Sequence, residues 1–130
     1  MRRSTWLFCA LVTTTLGCGG EKKVTGPTGG ELTVAYSTAL SHEGAMLLLI
    51  SGGVVENVTP VGGYQVAFAS VGANAIRVVV TGNLTAGDVI RIKVPDLSLV
   101  SSYSAHVDAA ADRTTFGLNE PTLYTATVRK

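Results

Sequence analysis

The chain has 130 residues, with ten basic against nine acidic side chains, two cysteines and a single tryptophan. A net charge of +1 gives no basic field for nucleic acid, and the acidic residues form no run that would attract a cationic partner. The length suits one domain around a single core, large enough to be stable without disulfides.

In chain order, Met1-Arg2-Arg3 is a short basic start, and Trp6 to Leu16, "WLFCALVTTTL", is an uncharged apolar or neutral run. At about 11 residues it falls well short of the ~20 needed to cross a bilayer as a helix. Gly17-Cys18-Gly19-Gly20 then makes a small, flexible break. A basic start, a short apolar run and a small residue before a cysteine resemble a bacterial lipoprotein signal, with Thr15 where leucine is usual. The resemblance implies cleavage after residue 17, a diacylglyceryl group on the Cys18 thiol, and a protein anchored to a membrane on its exported side. Gly19, rather than aspartate, after the cysteine implies sorting to the outer membrane. An ordinary secretory signal with an incidental cysteine is the alternative. On the lipoprotein reading Cys9 and Trp6 leave with the signal and Cys18 is capped, so no thiol remains for a disulfide, a metal or a nucleophile. Loss of Arg2 and Arg3 leaves eight basic against nine acidic residues.

Residues 18–30 hold the cysteine and "GGEKKVTGPTGG", which has no apolar face to bury and reads as a tether. From Glu31 to Lys130 the apolar period is two. Leu32, Val34 and Tyr36 share one face, as do Tyr64, Val66 and Phe68; Ile76, Val78 and Val80; Ile90, Ile92 and Val94; and Tyr124, Ala126 and Val128. "AMLLLIS", Ala45 to Ser51, is apolar on both sides and reads as a central, well-covered strand. "SAHVDAAADR", Ser104 to Arg113, continues an alternation from Tyr103 and reads as a strand running into a loop, although its alanines would also suit a short helix. Gly52-Gly53, Pro60, Gly62-Gly63, Gly72, Gly82, Gly87 and Pro95 punctuate these runs. The expected fold is all-β: an antiparallel β-sandwich of about 7–9 short strands spanning residues 31–130, cohesin-like or immunoglobulin-like.

The succession "GAMLLLISG", "VVENV", "YQVAFAS" and a strand pair joined through "TGNLTAGDVIRIKV" resembles the cohesins and related carbohydrate-binding sandwich domains, over Glu31 to about Asp96. The resemblance implies the sandwich; that family's calcium site and dockerin partner have no matching motif residues here.

Candidate site residues are sparse. His42-Glu43 lacks a second histidine four residues on and reads as solvated surface. His106 and Asp108, with Asp112 nearby, lack a third convergent metal ligand, so no metal or cofactor is expected. Asp88 and Asp96 read as turn formers. There is no G-x-S-x-G elbow, and neither histidine sits in an evident triad, so no enzyme is expected. If "AIRVVVT" and "VIRIKV" pair as a hairpin, Arg77, Arg91 and Lys93 point outward together. That gives either a solvated face that discourages aggregation or a docking surface for an acidic partner or lipid headgroups. Tyr103 and Phe116 lie off the expected core faces and are the aromatics left to stack on a sugar. The residues thus point to a membrane-anchored, non-catalytic module of the cell envelope with a protein partner, and, as the alternative, to a module binding carbohydrate or another ligand.

Overall fold

The computed structural model describes residues 26–130; the expected signal and Cys18 lie outside the described residues. The described residues form nine strands: β1 (Gly30–Thr38), β2 (Glu43–Ser51), β3 (Asn57–Pro60), β4 (Gln65–Gly72), β5 (Ala75–Thr81), β6 (Gly87–Val94), β7 (Ser104–Asp112), β8 (Leu118–Asn119) and β9 (Tyr124–Arg129). They build two antiparallel sheets, ordered β3-β6-β1-β9 and β4-β5-β2-β7-β8. No helix among the described residues is long and apolar enough to cross a membrane. The expected antiparallel β-sandwich is what the chain adopts, and Ser104–Asp112 is strand.

The inner rows explain the stacking. Leu32, Val34 and Tyr36 of β1, Met46, Leu48 and Ile50 of β2, Ile76, Val78 and Val80 of β5, and Ile90, Ile92 and Val94 of β6 are all buried in one core. A period of two puts these rows on one side of each strand, and stacking two such sides removes both from water. Burial of each large aliphatic side chain contributes about 1.5–3 kcal/mol.

Four expectations are corrected. β5 and β6 do not form a hairpin: β5 already has β4 and β2 as neighbours, so the chain crosses to the other sheet. The crossing is fixed by Leu84, which is fully buried and whose amide donates to the Glu43 carbonyl at 3.1 Å. Phe68 faces inward beside Val78 but remains 44% exposed, because β4 is an edge strand and the four-residue β3 opposite covers only part of it. β2 is central, as expected, yet among the described residues no third layer covers its outer side, where Leu47 and Leu49 are only half-buried. The order of the chain also begins a little early, since β1 starts at Gly30 and the Thr28 carbonyl accepts from the Leu97 amide at 2.9 Å.

Candidate functional site

The outer side of the five-stranded sheet has two halves. At one end Ser51 and Ser104 share a hydrogen bond of 3.0 Å, and Arg77 reaches across β2 to Asp108 at 3.7 Å. Toward the other end the pairing register sets Ala45 beside Ala111, and Leu47 between Val79 and Ala109. These side chains floor a shallow apolar trough bounded by Leu118 of β8, which is 80% exposed. Apolar side chains on both faces of β2 make the trough: the strand has no polar row to turn toward water.

The trough runs into a cleft of about 380 Å³ lined by Gly44, Ala45, Gly82, Asn83, Ala111, Asp112, Arg113 and Phe116. Phe116 sits on the β7–β8 turn, whose shape comes from Asp112. One Asp112 carboxylate oxygen accepts from the amides of Thr114 (2.7 Å) and Thr115 (2.9 Å), and its carbonyl accepts from the Phe116 amide (3.0 Å). Those bonds, Thr115 first, hold the Asp112 carboxyl below its ordinary value. Phe116 adopts φ 58°, the one non-glycine residue with positive φ among the described residues, and its ring is 84% exposed. A bulky residue in the left-handed region costs about 1–2 kcal/mol. Here an unfavourable backbone conformation holds a large apolar group in solvent, and strained backbone of this kind clusters at functional sites.

Beside the cleft, at the inner side of β2, Glu43 is buried, which corrects its reading as surface. Tyr124 accepts a hydrogen bond from Asn119 at 2.9 Å and donates to Glu43 Oε1 at 3.5 Å, while Glu43 Oε2 and the Tyr36 hydroxyl have no hydrogen-bond partner among the described residues. Burial, with Glu43 close by, pushes the Tyr36 hydroxyl well above the ordinary phenol value.

The other expected residues separate. Arg77 lies on the outer face of one sheet, and Arg91 and Lys93 on that of the other, so they make no common surface. Lys93 meets Glu56 at 4.0 Å. Tyr103 is not a surface aromatic: it is buried, its hydroxyl donating to the Val54 carbonyl at 2.7 Å. Its ring fills a slot left by Gly53, where a Cβ would lie 2.5 Å from the ring. Burial raises the Tyr103 hydroxyl above its ordinary value. His106 is exposed opposite Leu49, and among the described residues no three His, Cys, Asp or Glu side chains gather as a metal site. Asp88 pairs with Arg129, and Asp96 caps a 3-10 turn, Leu97–Ser102, by accepting from the Ser98 amide at 2.9 Å.

Leu47, Val79 and Leu118 lie outside the candidate residues that the sequence offers. For Leu47 and Val79 the signal is in "LLL" and "VVV", where the polar half of the alternation is missing; Leu118 carries no such signal. Set against family models, curated proteins and solved structures, the chain shows no significant match.

Proposed function

We propose that the protein is a lipoprotein of the bacterial cell envelope, anchored through Cys18, that displays a non-catalytic β-sandwich for contact with an envelope protein. The anchor rests on the basic, apolar and Gly-Cys succession of residues 1–18. The contact surface is the trough around Leu47, Val79 and Leu118, with Phe116 at its rim. The observation that carries this reading is Phe116, held in a costly backbone conformation with its ring in solvent.

A second reading has its own observation. The cleft combines one exposed ring with the polar side chains of Asn83, Asp112 and Arg113, the chemistry that a sugar or similar small ligand requires. Tyr103, being buried, no longer contributes to it.

One experiment separates the two. Detergent-solubilised full-length protein is used to capture partners from envelope extract and, in parallel, is applied to a glycan array. The first reading expects a reproducible protein partner that is lost with Val79→Lys. A defined glycan whose binding disappears with Phe116→Ala but survives Val79→Lys would replace it by the second. The anchor is checked separately, by release of Cys18→Ser protein from the membrane fraction.

A further inference from the structure

The two sheets have four edges, and three are protected against further pairing. β3 is four residues long and ends on Pro60, which has no amide to donate. β8 is two residues long and is followed, after Glu120, by Pro121. β9 packs against β7 of the other sheet and ends in Arg129, next to Lys130. Short strands, prolines and terminal charges are the usual means by which an edge is kept from pairing.

β4 has none of these. It is eight residues long, "QVAFASVG", and every residue from Ala67 to Gly72 is exposed. It carries no charge, and no charged residue occurs anywhere in positions 57–76. Phe68 and Val71 are 44% and 47% exposed. One side of β4 is paired with β5; among the described residues no strand is hydrogen-bonded to its other side, where β3 of the opposite sheet comes near only part of its length.

We propose that β4 is the seat of a two-fold dimer, in which the β4 strands of two copies pair antiparallel and join their five-stranded sheets into one continuous sheet. The ligand for an open edge is another strand. A second copy fits this edge because a neutral segment brings no like charge against itself, and because Ala67 and Ala69 offer little bulk to hinder close approach on the outer face. The two-fold axis also sets the inner rows, Val66 and Phe68, beside their equivalents, which shields the apolar surface that β3 leaves open. Because the remaining edges are protected, the pairing closes at two copies instead of propagating into a fibre. The inference is independent of the anchor and of the trough, which lies on a face and not at this edge.

The test is a cysteine scan of residues 66–71, one substitution at a time in the full-length chain, with disulfide formation driven in intact cells by a copper–phenanthroline oxidant. The parent chain supplies the background, and Thr127→Cys on β9 is the control. The expected result is a product of twice the chain mass, strongest at alternate positions around the centre of β4 and at background level for Thr127→Cys. Adding Ala69→Lys, a change at an exposed position, should bring the strongest product down to background while strand content by circular dichroism stays unchanged. Products no stronger than background throughout the scan would overturn the dimer. A linked product of some other mass would also overturn it, and would assign the edge to a strand from a different protein.

Discussion

The outer face of the four-stranded sheet alternates as a solvated sheet should. Thr33 and Arg91 lie side by side there, as do Glu31 and Lys93, while Leu32 and Ile92 point into the core between them. The outer face of the five-stranded sheet begins in the same way, with Arg77 held by Asp108, but then gives way to Ala45, Leu47, Val79 and Ala109. Both sheets contribute buried rows to one core, so the core alone does not call for this difference. Polar outer residues cost nothing to hydrate, whereas an apolar outer row keeps water on surface that another body could cover. The contrast locates the face on which to look for a partner.

The most severe way to break the comparison is to truncate adjacent residues of β2. Leu48→Ala removes a fully buried side chain and should cost about 2–5 kcal/mol. Leu47→Ala, its neighbour on the half-buried outer row, should cost about 1 kcal/mol or less. Urea unfolding reads both. Equal losses would mean that the outer side of β2 is as well covered as the inner, and would remove the support for the proposed contact surface.

A smaller effect, of opposite sign, is expected at the rim. Asparagine tolerates the left-handed region, so Phe116→Asn should recover part of the ~1–2 kcal/mol of backbone cost and raise the unfolding midpoint. The same change should weaken capture of the partner. Such a trade of stability against contact is what a displayed residue predicts. A clear loss of stability would instead show that the ring packs on the cleft and belongs to the fold.

The two faces were not equally legible in the sequence. Alternation reports which side of its own strand a residue occupies, and the buried rows of β1, β5 and β6 follow from it directly. It does not report which sheet a strand joins. Alternation alone therefore groups Arg77 with Arg91 and Lys93, from which the whole thickness of the sandwich separates it. Nor does alternation report whether the opposing sheet extends far enough to cover a position, which is why Phe68 faces inward and is still wet. Tyr103 is buried by Gly52-Gly53, half a chain away, where Gly52 has φ 99° and a Cβ would collide with the Ser102 carbonyl. The strained φ of Phe116 is set by the bonds of Asp112 and Gly117 across the turn, and no local propensity announces it.

The smallest expected effect is one of acid on that turn. Thr115 and Thr114 hold the Asp112 carboxyl below its ordinary value of 3.8 by bonding to its ionised form. Its contribution is therefore complete above that value and is lost as pH falls through the lower value of the folded state. Asp96, depressed by its bonds from Ser98, follows the same rule at the opposite end of the sandwich and serves as an internal reference. Acidification from about pH 5 to about pH 2 should therefore loosen both turns while the core strands persist, seen as lower protection of the Thr114, Thr115 and Ser98 amides, each exchange rate being taken relative to the intrinsic rate at the same pH. Asp112→Asn keeps an oxygen acceptor that does not titrate. It should remove the acid response at Thr114 and Thr115, leave that at Ser98, and keep Phe116 in place at low pH. If the Thr114 and Thr115 amides respond to acid equally in both proteins, the Asp112 carboxylate does not hold the turn, and the placement of Phe116 must come from the cleft beneath it.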